Sequence, residues 1–415
     1  AWIQRTMPRS GGGSMDLHIS SERDPHIIDY VVTNMDVRTT GSRLRGAMTW
    51  VVGGPVLGLR DINLALLPVD FALLETFNGR KFPMPWNGTV TGTLRGRGGP
   101  LNRFQFDEAV LAFTDRNVPG ATAAAVLRGE VDILDPGAIR FHGTALQLGH
   151  FDLRTAQFLN ADFPRLRGTV SGTATLDSVW DDVRFRDGDF THRDGDDAPL
   201  SRFKGNGRVA LGEQNVLFDV ALAAMPLSAT TMARSYPQLP LRGDFSGPLR
   251  ARGTVADLLL TADLSGDAGR LQVDGQFDVL PPGYGATARG TFSDFDVRRG
   301  LDLSGAPPTA LNGRFTVDLA GDSLANLAGT AQVVADRSLA DSLLVHWGRA
   351  GLHFAGGGVR VDSLRVESVA GVLTASGGLG LTARRGDTST PSASGLSTAP
   401  SEAQNPASEK TLRAH

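Results

Sequence analysis

One short glycine-centred stretch occurs four times in this sequence, and the repetition limits what the chain can fold into. The copies read WNGTVTG, LRGTVSG, LRGDFSG and LNGRFTV, and their first glycines are Gly88, Gly168, Gly243 and Gly313. They follow one another at intervals of 80, 75 and 70 residues. A stretch that recurs at a nearly constant spacing predicts a repeat architecture, in which each unit mainly contacts its neighbours.

Each copy has the alternating pattern of a β-strand with one apolar face. The second residue after the first glycine is apolar, the residues beside it are polar, and the sixth is apolar again. These apolar positions are Val90, Val170, Phe245 and Phe315, followed by Leu94, Ala174, Leu249 and Leu319. The same alternation fills the run from Leu271 through Val273 and Phe277 to Val279. A period of two is typical of a half-buried strand, so we predict an all-β chain with few short helices.

The pattern also predicts how the chain is divided. Residues 1–65 read as the β-rich start of the array, and residues 66–381 hold repeat units at about 66–147, 148–223, 224–291 and 292–381. Each unit opens with a short irregular or helical segment, at 69–77, 152–160, 227–236 and 294–301. A further helix is predicted over Leu339–Trp347, where apolar residues share one stripe. Residues 382–415 are rich in Ser, Thr, Pro and Ala, which predicts a disordered tail.

Composition excludes several classes of function. The net charge of −3 provides no basic surface for nucleic acid, and the absence of cysteine excludes disulfides and thiol chemistry. No apolar run of about 18 residues exists, so no membrane-spanning helix is predicted within this sequence. The chain opens at Ala1 without an initiator methionine or a signal-like segment, so we expect it to be part of a longer protein.

Each motif that could indicate catalysis, a cofactor or a metal has a simpler explanation. His142 and His150 are expected to meet at most across a hairpin, without a third ligand. The acidic residues Asp187, Asp189, Asp194, Asp196 and Asp197 lack the ligand spacing of a calcium loop and read as solvated turn residues. The Ser201–Lys204 match to Ser-x-x-Lys lacks its companion motifs. We therefore expect that the chain is not an enzyme and holds no cofactor.

Strands of this kind must hide their apolar face, and this requirement leads to a functional hypothesis. A bent sheet would form an apolar groove, whereas a closed solenoid fits the alternation equally well. An apolar lining without convergent polar groups suits acyl chains better than a polar ligand. The candidate groove residues are Val90, Leu94, Val170, Phe245, Leu249, Leu271, Val273, Phe277, Val279, Phe315 and Leu319. The simpler interpretation of each residue is an ordinary core position. The functional hypothesis concerns the column that equivalent apolar positions would form along the repeats.

The repeated element resembles the AsmA/TamB family of Gram-negative envelope proteins over most of residues 66–381. The resemblance rests on a short segment followed by Leu-Arg/Asn-Gly-x-apolar-Ser/Thr-Gly and further glycine-punctuated strands. It implies a long, bent (taco-like) periplasmic β-sheet with an apolar groove, held at the inner membrane by an N-terminal helix that this sequence does not contain. The polar tail also departs from the family, whose members end in a module that meets an outer-membrane barrel.

What the resemblance implies about function is a passive conduit or scaffold. Phospholipid would move between inner and outer membranes along the groove and support outer-membrane biogenesis. One alternative is an assembly factor for outer-membrane β-barrel proteins, which pairs with client strands by β-augmentation. A further alternative is a β-solenoid surface adhesin, although the low aromatic content of 7% does not favour carbohydrate binding.

Overall fold

The structure is a computed structural model that describes most of the chain. The described residues are 11–21, 24–53, 57–73, 87–135, 138–212, 215–237, 239, 241–280, 283–301, 303, 305–323, 325–380 and 397–399. β-strands account for most of them, and the helices among them are short. The predicted all-β class with few short helices is therefore confirmed.

The chain divides into two compact units, which are described separately. The first comprises Ala1–Asp267 with Gln272–Gly285, and the second comprises Ala268–Leu271 with Ala286–His415. Strands β15 (Gly269–Asp278) and β16 (Tyr284–Phe295) contribute residues to both.

In the first unit, each strand from β1 to β14 pairs antiparallel with the next strand in sequence. The elements are β1 (Gly11–Ser20), β2 (Ile28–Thr39), β3 (Ser42–Val52), β4 (Gly58–Asp70), β5 (Gly88–Pro100), the 3-10 helix η1 (Leu101–Arg103), β6 (Phe104–Asp115), β7 (Thr122–Asp132), β8 (Arg140–Asp152), α1 (Leu153–Leu159), β9 (Thr169–Val179), β10 (Asp182–Arg193), β11 (Ser201–Leu211), β12 (Val216–Ser228), α2 (Ala229–Ser235), β13 (Asp244–Thr254) and β14 (Asp257–Gly266). Antiparallel neighbours of this kind can be joined by short turns, although longer segments connect β4 to β5, β8 to β9 and β12 to β13.

The second unit is a meander of the same kind with one small irregularity. After β16 come α3 (Val297–Gly300), β17 (Thr309–Gly321), β18 (Ala328–Ala335), β19 (Ser338–Ala340), β20 (Leu343–Ala355), β21 (Gly358–Ser368), β22 (Gly371–Gly380) and β23 (Ser397–Ala399). Strands β18 and β19 together face both β17 and β20, and β20 to β23 then pair in order.

The junction between strand and helix is built in the same way at four places. A side-chain oxygen of the last strand residue or N-cap accepts the N–H of a residue two or three positions later, as expected for a helix N-cap. The capping oxygens belong to Asp70, Asp152, Ser228 and Asp296. Residues 71–73 are helical after the first cap, and α1, α2 and α3 follow the others. Three of the four predicted opening segments thus contain a helix, while residues 74–77 of the first segment lie outside the described residues.

The second glycine of the repeated stretch has a conformation that explains its recurrence. Gly92, Gly172 and Gly247 have φ angles of +142°, +148° and +147°. A β-carbon at these positions would collide with a carbonyl oxygen of the neighbouring strand, belonging to Val110, Asp189 and Asp263 respectively. Only glycine tolerates both the dihedral angle and the close approach. The fourth copy has Val317 at this place, in regular pairing with Ala331.

The predicted helix over Leu339–Trp347 is wrong. The segment forms β19 and the start of β20, joined by a turn in which Asp341 has a φ of +55°. Buried Val345 alternates with exposed His346, so a period of two replaces the expected helical stripe. Pairing with β17 and β18 outweighs the local helical preference of the leucines.

Most of the predicted tail lies outside the described residues, which include only 397–399 beyond residue 380. These three residues form β23 and pair with Val372, Leu373 and Thr374 of β22. For the rest of residues 382–415 the disordered tail stays a prediction.

We predict that Gly172→Ala lowers the free energy of unfolding by roughly 1–3 kcal/mol, because the new β-carbon meets the Asp189 carbonyl in a backbone conformation that alanine avoids. The matched control is Gly149→Ala in β8, where a β-carbon would have ordinary contacts at 3.6 Å from the Ala124 oxygen. The control should change stability by less than about 1 kcal/mol, in the stabilising direction. Denaturant unfolding measures both, and equal effects would contradict the explanation.

Candidate functional site

The first unit carries an apolar face made of cross-strand rows. The longest row crosses ten strands, from β4 to β13, and we call it the glycine row because it includes the second glycine of three repeats. Its members are Leu66, Gly92, Leu111, Ala125, Leu148, Gly172, Phe190, Phe203, Ala224 and Gly247. It contains no polar side chain, so it is a continuous apolar line across the repeats.

A second row, the far row, runs beside it over β9 to β14. Its members are Leu176, Phe185, Gly207, Val220, Ala251 and Leu260. Aromatic rings lie against glycines here, because a β-carbon at Gly207 would come within 2.9 Å of the Phe185 ring. Phe185 and Phe190 contact each other edge to face, with ring centroids 5.5 Å apart. Glycine therefore makes room for large rings on this face.

Only part of the apolar face is buried. A compact core forms around Ile62, Phe104 and Val131. Leu66, Leu111, Leu148, Phe190 and Phe203 of the glycine row are half-buried instead. Half-buried apolar side chains in a continuous row leave room for an apolar ligand or partner.

The predicted groove residues fall on the apolar side of their strands, except Val279, which directly follows the end of β15, and their burial differs. Leu94, Val170, Leu249, Leu271, Val273, Phe277, Val279, Phe315 and Leu319 are half-buried. Val90 is 9% exposed and Phe245 is fully buried at 0%. Phe245 is thus a core residue that no ligand reaches in this conformation.

The column of equivalent positions does not form one uninterrupted line in the first unit. Val90 and Val170 do share a row, which runs through Val69, Val90, Phe113, Ala123, Phe151 and Val170. The row then reaches His192 and Ser201, which are buried and polar. The continuous apolar line is instead the glycine row, two residues further along each repeat strand.

The opposite face of the same strands carries cross-strand ion pairs. Examples are Arg202–Asp189, Arg208–Asp182 and Arg128–Glu108, each at 2.6 Å. These pairs are largely exposed, so each contributes at most about 1 kcal/mol. They keep this face in water and fix which side of the sheet is apolar.

The strand ends form two borders of the apolar face in the first unit, and we call these borders rims. The first rim is where β4, β8 and β12 end at the caps Asp70, Asp152 and Ser228. The second rim holds the turns at the opposite strand ends, including Gly212 after β11 and Val255 after β13.

Residues 153–168, which we call strap 1, leave the first rim and contact the second. The Nδ2 of Asn160 donates to the carbonyl oxygen of Gly212 at 3.2 Å. The ring of Phe163 lies 6.3 Å from that of Phe218, near the start of β12. Strap 1 then returns to the first rim, where the N–H of Leu153 donates to the oxygen of Gly168 at 3.0 Å.

This contact shows that the sheet is strongly bent in this repeat. The 11 residues of β11 would separate the rims by roughly 36 Å if the strand were straight. Helix α1 has 7 residues and spans only about 11 Å, yet Asn160 directly after it reaches the second rim. The strands must therefore curve around the apolar face, which confirms a bent sheet in this part of the first unit.

Residues 229–243, which we call strap 2, repeat the arrangement. The ring of Tyr236, directly after α2, lies 5.7 Å from that of Tyr284 at the start of β16. Burial raises the pKa of Tyr236 to about 12, and the neighbouring Tyr284 acts in the same direction. The N–H of Ala229 donates to the oxygen of Gly243 at 2.9 Å, which closes the base of this strap as in strap 1.

The acidic cluster has a structural role. Asp197 and the carbonyl oxygen of Asp194 accept bonds from Arg234 of α2, at 2.8 Å and 3.0 Å. The hydrogen bond from Arg234 lowers the pKa of Asp197. The loop that resembles a calcium site by composition thus holds strap 2 in place. No three metal-binding side chains are grouped to hold a metal ion in the part of the chain that the structure describes.

His142 and His150 do not face each other across a hairpin, because both lie on β8. Their cross-strand partners are Glu130 and Ala124 respectively. Among the described residues, no helix is long and apolar enough to cross a membrane.

Comparisons with known proteins add no identification. No family model matches the chain, and neither the curated proteins nor the solved structures searched contain a match. The assignment of function therefore depends on the geometry described above.

Sequence reasoning missed the caps and the straps. The cap signal was present, because Asp70, Asp152, Ser228 and Asp296 are spaced by 82, 76 and 68 residues and follow the repeat. The contact between Asn160 and Gly212 has no sequence signal, since the residues are 52 positions apart and meet only because the sheet bends.

We predict that acid weakens the fold partly through Asp189. The hydrogen bond from Arg202, opposed by burial and helped by Lys204, lowers the pKa of Asp189 from 3.8 to about 2. A lowered pKa in the fold means that the ion pair stabilises above pH 3.8 and is lost as the pH falls towards 2. Melting temperatures measured across this range should fall less steeply for Asp189→Asn than for the unmodified chain.

The matched variant Arg202→Gln removes the cause of the shift, so its melting temperatures should follow those of Asp189→Asn. Unchanged profiles in both variants would contradict the assignment.

Proposed function

We propose that the apolar face of the bent sheet binds the acyl chains of lipids and acts as a passive conduit or scaffold for them. The observation that carries the proposal is the glycine row, a line of mostly half-buried apolar residues that crosses ten strands without a polar side chain. Each methylene group that leaves water on such a surface contributes about 0.8 kcal/mol. The charged opposite face stays in water and leaves this side for the ligand.

The wider setting of the proposal comes from the resemblance to the AsmA/TamB family. In that setting the protein is periplasmic and membrane-associated in a Gram-negative cell envelope, and it moves phospholipid between the two membranes. The chain needs no catalytic group for this role, because acyl chains exchange along the face by diffusion. The bent sheet supports this setting, since a groove of this shape is what the resemblance implies.

The edge strand β1 favours a second candidate, a factor that pairs with strands of client β-barrel proteins. Its apolar residues Met15, Leu17 and Ile19 are 51%, 54% and 57% exposed. Among the described residues, β2 is the strand that pairs with β1. An exposed strand edge can add a strand from another chain. A β-solenoid adhesin is not favoured, because the described strands from β1 to β14 each pair antiparallel with the next strand in sequence.

Two adjacent leucines on β14 provide a direct test of the conduit. Leu260 belongs to the far row and is half-buried, whereas Leu259 is 55% exposed on the opposite face beside Arg252. We predict that Leu260→Asp lowers the amount of bound phospholipid at least about tenfold, which corresponds to 1.4 kcal/mol, because a carboxylate cannot lie against acyl chains. Leu259→Asp should bind as much as the unmodified chain.

Native mass spectrometry of chains incubated with phospholipid vesicles measures the bound lipid, and thermal melting shows that both variants fold. Equal loss in both variants, or no bound lipid in the unmodified chain, would overturn the proposal. Phe245→Arg is unsuitable for this purpose, since Phe245 is fully buried and its loss would unfold the repeat.

A further inference from the structure

We infer that strap 1 is a hinged closure over the phenylalanine-lined part of the apolar face, and that acyl chains load there only when its tip leaves the second rim. The inference rests on the proposed function, and it adds the residues that control access. It follows from the unequal way in which the two ends of the strap are held.

The base of strap 1 is fixed to the first rim by several buried or charged contacts. The carboxylate of Asp152 caps α1 and binds the Arg154 side chain at 2.6 Å. The Nε2 of His192, which is buried, donates to the Arg167 oxygen at 2.7 Å. The Arg167 N–H donates to the Ser235 hydroxyl of α2 at 3.0 Å, so strap 2 also supports this end.

Strap 1 is also braced internally. The Nε2 of Gln157 donates to the Leu166 oxygen at 2.6 Å and to the Pro164 oxygen at 3.2 Å. These bonds join the outgoing helix to the returning segment. The strap can therefore move as one body about its base instead of unravelling.

The tip is held by weaker contacts of an exchangeable kind. Asn160 is partly exposed, and its amide can exchange the Gly212 oxygen at 3.2 Å for water at little cost. The rings of Phe163 and Phe218 contact each other at 6.3 Å, and an alkyl chain can replace either ring. Neither contact leaves a buried polar group unsatisfied when it breaks.

The phenylalanine-lined part of the apolar face, which we call the floor and which includes the tip contact Phe218, suits a flexible apolar chain. Phe185, Phe190, Phe203 and Phe218 come from three consecutive strands and are all half-buried. Phe218 belongs both to this floor and to the tip contact. A ligand that reaches Phe218 competes with Phe163 for the same ring, which couples occupancy of the floor to release of the tip.

The test uses the absence of cysteine from the sequence. The variant Asn160→Cys with Gly212→Cys places two thiols at the tip, and a bifunctional thiol reagent then joins the strap to the second rim. The probe is a dansyl-labelled fatty acid, whose fluorescence rises when it enters an apolar site. Stopped-flow mixing measures the rate of uptake before joining, after joining and after a cleavable reagent is cut.

We expect joining to slow uptake at least about tenfold, because a closure of this kind opens for a minor fraction of the time and joining removes that fraction. Cutting the reagent should restore the rate. The control Glu108→Cys with Arg128→Cys joins two exposed positions on the charged face, where the side chains lie 2.6 Å apart, and should leave the rate unchanged.

A second pair of variants tests the tip without a reagent. Phe163→Ala removes the ring contact and should speed uptake several-fold, whereas Phe158→Ala, in the same strap but 39% exposed, should not.

The possible outcomes separate the closure from the conduit. Equal uptake rates in the joined and free tip variants, with uptake intact, would overturn the closure alone. A chain that takes up no fatty acid in any form would overturn the conduit and the closure together. Slower uptake in the joined control as well would show a general effect of the reagent and would also count against the closure.

Discussion

The structure depends on the need to keep one side of many amphipathic strands away from water. A strand that alternates apolar and polar residues cannot bury its apolar side by pairing alone, because pairing satisfies only the backbone. In the first unit the strands curve around their apolar side, and ion pairs such as Arg202–Asp189 hold the opposite side in water. The glycines make this possible. Gly172 allows the close approach of two strands, and Gly207 makes room for the Phe185 ring.

Curvature also explains why short segments suffice to cross the apolar side. On a flat sheet a helix of 7 residues would cover only a small part of one strand. On the bent sheet the residue that follows this helix reaches the second rim. The caps Asp152 and Ser228 set the direction in which each strap leaves the sheet, and an aromatic contact receives it at the other side. The acidic loop that binds Arg234 belongs to the same construction, since it holds the end of the strap 2 helix.

Much of the fold was accessible from the sequence because alternation is a local signal. The strands around Val90, Val170, Leu271 and Phe315 follow directly from their period of two. The helix expected over Leu339–Trp347 was wrong because the leucines of so short a run fit both the helical period of 3.6 and the strand period of two, and strand pairing decided the outcome. The candidate site was only partly accessible. The alternating pattern predicted the apolar face of the strands. It did not predict the glycine row, because the glycines of that row have no apolar side chain that a sequence pattern could show. The buried state of Phe245 depends on packing that no local pattern reports.

The number of strands between successive caps has a consequence of its own. Four strands, β5 to β8, lie between the caps Asp70 and Asp152, and four more, β9 to β12, lie between Asp152 and Ser228. After an even number of strands the chain is back at the rim from which it started, so each strap leaves from the first rim. Insertion or loss of two strands would keep the next strap at the same rim, whereas a change by one strand would send it out from the opposite rim. A chain of this kind must therefore keep an even number of strands between successive caps, whatever its total length.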